Sequence, residues 1–278
     1  MTSLVSTAWL AERLSNPNIR MADASWYLPQ AGRDAKSEYA AAHIPGAVFF
    51  DIDDLSDETS PWPHMLAPVP KFAGRMRELG LGDGNMIVVY DGAGIFSSPR
   101  AWWMLRAMGH RDVAVLDGGL PKWRREGYPV NNNPANIRPA TFTASPDPTI
   151  VRAFPQMVEN LKTRAAQVVD ARGRPRFVAQ EAEPRPGLRG GHIPGSLNVP
   201  YAQLIAADST LKSPEALRAL FAEARVDLSA PVVTSCGSGV TAAIAMLALE
   251  MAGATDVALY DGSWSEWGAR PEAPVETG

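Results

Sequence analysis

His43-Ile-Pro-Gly-Ala47 returns later in the chain as His192-Ile-Pro-Gly-Ser196, and Leu116-Asp-Gly-Gly-Leu-Pro-Lys-Trp123 returns as Tyr260-Asp-Gly-Ser-Trp-Ser-Glu-Trp267. Between these pairs lie two matching apolar runs, Ile87-Val-Val-Tyr90 and Pro231-Val-Val-Thr234, each followed by a glycine-bearing loop and a helical stretch. Motifs that recur in the same order mean two copies of one domain, which constrains the fold more than any local propensity. Residues 1–130 form the first copy and 150–278 the second. Residues 131–149, rich in Pro and Asn and without periodicity, read as the linker. A chain of 278 residues accommodates two such domains.

Within the copies, short β-branched runs (167–170, 230–235 and 256–260) alternate with amphipathic stretches (214–224 and 241–252). This alternation predicts an α/β fold, with a mainly parallel sheet in each domain covered by helices on both faces. In such sheets ligands bind beyond the carboxyl ends of the strands, which is where Cys236 falls.

Composition narrows the function. Lys and Arg number 26 against 30 Asp and Glu, a net charge of -4, which argues against nucleic-acid and anionic-membrane partners. Any anionic ligand therefore needs a local cluster of cations. No apolar run reaches the roughly 20 residues that span a bilayer. The start, Met1-Thr-Ser-Leu-Val5, lacks the basic and apolar regions of a secretion signal. One cysteine allows no internal disulfide and no multi-cysteine metal site, and the 4 histidines offer no metal-ligand spacing. No metal or organic cofactor is implied, and the expected compartment is the cytoplasm.

The duplication provides an internal control: what both copies keep builds the fold, and what one copy alone has is a candidate for function. His43 and His192 each open an Ile-Pro-Gly turn and read as structural. Asp117 and Asp261, with Trp123 and Trp267, read as turn and packing residues. His110, after Gly109, reads as a surface residue. Cys236 aligns with Asp91, so only the second copy has a thiol. It stands at the end of a buried strand, and Gly237-Ser-Gly-Val-Thr241 leads from it into a helix. Glycines let such a loop turn several amides inward, and these with the helix N-terminus stabilise an anionic sulfur. A phosphatase would need an arginine six residues after the cysteine, but position 242 is Ala.

The tandem halves, the paired His-Ile-Pro-Gly turns, the Asp-Gly-Gly and Asp-Gly-Ser signatures and Cys236-Gly-Ser-Gly-Val-Thr241 resemble the rhodanese superfamily of sulfurtransferases over nearly the whole chain. The resemblance implies two tandem rhodanese-like domains, the first inactive and the second catalytic. The loop is similar to that of the branch using 3-mercaptopyruvate. Relatives that prefer thiosulfate carry cations after the cysteine, whereas Gly237 and Ser238 are neutral and suit a donor with one carboxylate. The loop residues Gly237, Gly239, Val240 and Thr241 would then hold the sulfur. The second copy carries an insertion between Phe177 and His192, and together with its approach this contains Arg172, Arg174, Arg176, Arg185 and Arg189. The resemblance points to Arg176 and Arg185 as the donor-binding pair, and Arg174 and Arg189 read as solvated. It also places His64 and Asp53 near Ser238, as a Ser–His–Asp relay, while the residues alone leave open that His64 packs under Trp62.

The expected reaction moves sulfur from a small anionic donor, 3-mercaptopyruvate, through a Cys236 persulfide to a thiol, cyanide or reduced-protein acceptor. Two alternatives stay open. One is thiosulfate sulfurtransferase activity. The other is a non-catalytic sulfur or redox relay module in which Cys236 forms mixed disulfides with protein partners.

Overall fold

The computed structural model describes residues 3–278, which divide into two compact units. Unit 1 comprises Met1–Glu58, Leu66–Asp147 and Ala206–Leu211, and unit 2 comprises Thr59–Met65, Pro148–Ile205 and Lys212–Gly278. His64 therefore belongs to the same unit as Cys236, although it is encoded in the first half of the chain.

Unit 1 holds β1 (Leu4–Val5), β2 (Ile19–Asp23), β3 (Val48–Phe49), β4 (Met86–Tyr90) and β5 (Val113–Leu116), in the order β1-β5-β4-β2-β3. Unit 2 holds β6 (Val151–Arg152), β7 (Gln167–Asp170), β8 (Leu197–Asn198), β9 (Val232–Ser235) and β10 (Val257–Tyr260), in the order β6-β10-β9-β7-β8. Every pairing in both sheets is parallel. The two orders are the same permutation, so the sequence repeat is a repeat of topology. Both alternating sets of side chains along β4, β5, β9 and β10 are buried, Met86 alone being partly exposed, as in parallel sheets covered on both faces. The helix Ala242–Ala252, apolar on every side, is buried over nearly its whole length after β9.

Register makes the equivalence of the units residue-specific. Asp23 pairs with Tyr90 in unit 1, and Asp170 pairs with Ser235 in unit 2. Asp91 and Cys236 are the next residues, so they occupy one position at the carboxyl ends of equivalent strands. Ala24 N donates to Tyr90 O and Ala171 N to Ser235 O, each at 2.8 Å, which makes Ser25 the counterpart of Arg172. Likewise Leu120 N donates to Asp91 O and Trp264 N to Cys236 O, at 3.0 and 2.9 Å.

The shared motifs hold turns. His43 places its ring nitrogens 2.8 and 3.0 Å from the carbonyls of Tyr39 and Asn133, and His192 places Nδ1 2.9 Å from Phe177 O. Each ring also stacks on the aromatic residue it bonds, Tyr39 or Phe177. Trp123 Nε1 donates to Pro129 O and Trp267 Nε1 to Pro274 O, both at 2.8 Å. His110 departs from its expected surface position. It is half-buried and stacks on Phe142, and burial lowers its pKa. Gly109 turns the chain inward there, against residue 145. Among the described residues no helix is long and apolar enough to cross a membrane.

Candidate active site

Cys236 is 2% exposed at the end of β9. Its backbone is fixed from both sides, since Cys236 N donates to Ser263 Oγ at 3.2 Å and Cys236 O accepts from Trp264 N at 2.9 Å. Gly237 O accepts from Ser265 N at 2.8 Å and from Ser265 Oγ at 2.6 Å. The Asp-Gly-Ser-Trp signature after β10 thus clamps the start of the cysteine loop. Gly239, at φ +78°, turns the loop back toward the helix Ala242–Ala252, a conformation that glycine adopts without steric cost. Val240 is buried and Thr241 half-buried. Among the described residues the amides of 237–241 donate to no protein acceptor, so this bend carries free N–H groups beside a buried sulfur.

The side chains around the loop come from distant parts of the sequence. His64 is 7% exposed and adopts φ +62°, an uncommon conformation for a residue with a β-carbon. Its Nδ1 lies 3.0 Å from Ser238 Oγ. Arg185 Nη2 donates to the same Oγ at 3.3 Å. With a lone pair engaged by Arg185, the hydroxyl hydrogen of Ser238 can be directed at His64 Nδ1. A β-carbon on Gly237 would stand 3.1 Å from Arg176 Nη2 and 3.9 Å from Arg185 Nη1, so both guanidinium groups close on the loop next to the sulfur. Asp53 lies in unit 1, where its carboxylate accepts from Trp26 Nε1 at 3.0 Å.

Behind Arg176 is an ionic network that sequence reading missed. Glu183, with a side chain 2% exposed, pairs with Arg176 and also with Arg172 at 2.6 Å. Arg172 is itself buried. It donates to Asp170 at 2.7 Å and to Gly191 O at 2.7 Å, and it lies 4.3 Å over the Trp264 ring. Arg176 is thus anchored through Glu183 to a buried cation on the sheet. Replacing Arg172 by Met strands the buried Asp170 carboxylate and leaves Glu183 with Arg176 alone, and such removals cost about 3–5 kcal/mol. Urea unfolding of Arg172→Met is expected to show a loss of that size, and a loss under about 1 kcal/mol would mean the network is not what holds Arg176.

Arg189 was read as solvated, but it is structural. Its guanidinium donates to the carbonyls of Trp267, Gly268, Arg270 and Ala273, closing the end of the helix Ser263–Trp267. Arg174 is exposed.

Unit 1 shows what the same bend holds without a thiol. Asp91 is wholly buried, and its Oδ2 accepts from the amides of Phe96, Ser97 and Ser98 at 2.9, 3.0 and 2.9 Å. Ser98 Oγ adds a bond at 2.7 Å to the same oxygen, and Ala93 N donates to Oδ1 at 2.9 Å. The strand–loop–helix bend is therefore an anion cradle, filled in unit 1 by the chain's own carboxylate.

A rhodanese-like domain model matches residues 6–126 and 154–270. Human 3-mercaptopyruvate sulfurtransferase is 46% identical, covering 99% of this chain and 96% of that protein. Thiosulfate sulfurtransferase of Cricetulus griseus is 45% identical over 285 residues, 99% of this chain and 96% of that protein. The crystal structure of an Escherichia coli 3-mercaptopyruvate sulfotransferase superposes with a TM-score of 0.87 at 43% identity, covering 95% of this chain and 99% of that one. Two matching domains, relatives of this identity along nearly the full length and the repeated five-stranded topology place the chain in the rhodanese-like family, as a tandem pair of its domains.

Proposed function

We propose that the protein is a 3-mercaptopyruvate sulfurtransferase, with Cys236 as nucleophile and sulfur carrier. The carrying observation is the charge arrangement at the loop. Gly237 and Ser238 are neutral, and Arg176 is ion-paired to buried Glu183. Arg185 is then the cation best placed to take a single carboxylate, which matches a monocarboxylate better than a doubly charged thiosulfate.

In the first step the Cys236 thiolate attacks the donor's sulfur. An S–S bond forms as the C–S bond breaks, and the bonding pair leaves on carbon as the enolate of pyruvate. The enolate takes up the proton that the donor thiol gives up, and the Ser238–His64 pair is placed to pass it. Arg185 and Arg176 face the donor's carboxylate and the oxygen that becomes negative. The amides of residues 237–241 hold the persulfide, as the equivalent bend holds Asp91. In the second step an acceptor nucleophile (a thiol, cyanide or a reduced protein) attacks the outer sulfur and returns the Cys236 thiolate. A lone cysteine serving this cycle suits a reducing compartment such as the cytoplasm.

Steady-state turnover on the two donors tests this reading. The kcat/KM for 3-mercaptopyruvate is expected to exceed that for thiosulfate by at least about tenfold, and Arg185→Leu to lower it about a hundredfold. A preference for thiosulfate would leave the persulfide in place and overturn the charge argument. That second reading is favoured by the near-equal identity of the thiosulfate sulfurtransferases. If neither donor turned over, a sulfur or redox relay module trapping protein partners would replace both.

A further inference from the structure

We propose that unit 1 carries a binding site for a guanidinium group, in the cavity between Asp23 and Glu38. The site follows from the repeat and not from the chemistry of Cys236. In unit 2 the Arg172 guanidinium sits in a fully built seat. Asp170 accepts from its Nε and Nη2, Glu183 from its Nη1, and Gly191 O from its Nη2, while Trp264 forms the floor.

Unit 1 keeps the two carboxylates with serine where Arg172 stands, and Tyr27, which donates to Glu38 Oε2 at 2.9 Å, lines the same cavity. Register makes Asp23 the counterpart of Asp170, Ser25 of Arg172 and Leu120 of Trp264. The Arg176–Glu183 pair is mirrored by Arg33 and Glu38. Arg33 Nε donates to Glu38 Oε1 at 2.8 Å, and Nη2 stands 3.3 Å from where a β-carbon on Gly92 would be, as Arg176 Nη2 stands to Gly237. With serine in place of arginine and leucine in place of tryptophan, a cavity of about 410 Å3 remains beside Asp23 and Ser25, with Tyr27, Glu38, Arg33 and Arg124 also on its walls. Ligand pockets run from roughly 300 to 1,000 Å3.

Charge points the same way. In unit 2 buried Asp170 is paired with Arg172, whereas in unit 1 buried Asp23 has no ion-pair partner among the described residues, and the half-exposed Glu38 is paired with Arg33. Arg124 is exposed at the rim and donates to Ala42 O at 3.2 Å. Asp23 is 1% exposed and accepts from Ser25 N and Oγ. A carboxylate has about four acceptor sites, so Asp23 retains capacity for a planar cation. Burial, reinforced by nearby Asp91 and only partly offset by Ser25 and Tyr90, holds its carboxyl up at about 6, as an under-compensated acid should be.

The same group is carried by free small guanidinium compounds and by arginine side chains, and calorimetric titration of the full-length protein distinguishes them. Methylguanidinium, far below denaturing concentrations, is expected to bind saturably, and methylammonium at least about tenfold more weakly because it lacks the planar fork. N-acetyl-arginine amide binding as well as methylguanidinium would assign the seat to arginine side chains, and its exclusion would assign it to small free cations. Ser25→Arg refills the seat and is expected to abolish binding and raise the melting temperature. Asp23→Asn, nearly isosteric, is expected to abolish binding with the fold intact. The proposal is overturned if neither ligand binds saturably, if binding survives in Asp23→Asn, or if a folded Ser25→Arg binds as well as the parent. Cys236→Ser is expected to bind methylguanidinium unchanged, so failure of the sulfurtransferase reading would be seen separately.

Discussion

Cys236→Ser is expected to lower turnover of either sulfur donor by about 10⁴-fold or more, and to leave no detectable persulfide. Losses of this order follow removal of a nucleophile that the remaining groups cannot replace. Serine at this position keeps the size of the side chain but not its ability to carry a second sulfur atom. Mass spectrometry separates this from a folding defect. Parent protein given 3-mercaptopyruvate without acceptor should gain one sulfur atom and release one equivalent of pyruvate, and cyanide should then remove that sulfur. The variant should do neither while unfolding in urea at the same midpoint. If it still released pyruvate in a rapid stoichiometric phase, the sulfur would be leaving by a route that does not use this thiol. The expectation rests on geometry: a buried sulfur, a backbone fixed by Ser263 and Trp264, and loop amides without protein acceptors.

Repetition made much of this legible. Because the His-Ile-Pro-Gly turns and Asp-Gly signatures occur twice in order, the tandem parallel sheets could be read from the sequence. Setting the copies against each other isolated Cys236 over Asp91. The extra length before His192 drew attention to its arginines, and the resemblance to the family singled out Arg176 and Arg185 among them. The same comparison, applied to Asp23-Ala-Ser25 and Asp170-Ala-Arg172, would have flagged Arg172 as particular to the second copy. Glu183 had no such signal. A glutamate in a loop rich in proline and arginine reads as solvated until burial shows it joining two guanidinium groups. Arg189 was misread for the same reason, since its partners are backbone carbonyls that no sequence pattern marks. His64 meets Ser238 because residues 59–65 pack with the second unit, a choice made by tertiary contact and not by position along the chain.

Asp91→Ala is expected to destabilise the protein by about 3–5 kcal/mol, although it removes no residue of the cysteine loop. The carboxylate accepts from the Ala93, Phe96, Ser97 and Ser98 amides at this bend, and it also receives the Ser98 hydroxyl. Its loss strands donors in a wholly buried position, and each unsatisfied buried group costs about 1–3 kcal/mol. Water entering the space vacated by the side chain recovers part of that sum. Urea unfolding followed by circular dichroism gives the magnitude, and small anions give the mechanism. Added azide or nitrate should raise the melting temperature of Asp91→Ala more than that of the parent, because the emptied bend accepts an anion that the parent supplies itself. A cost below about 1 kcal/mol with no anion rescue would mean that the bend has no intrinsic preference for negative charge. The persulfide at Cys236 would then need another source of stabilisation, since the strand–loop–helix geometry is what the two positions have in common.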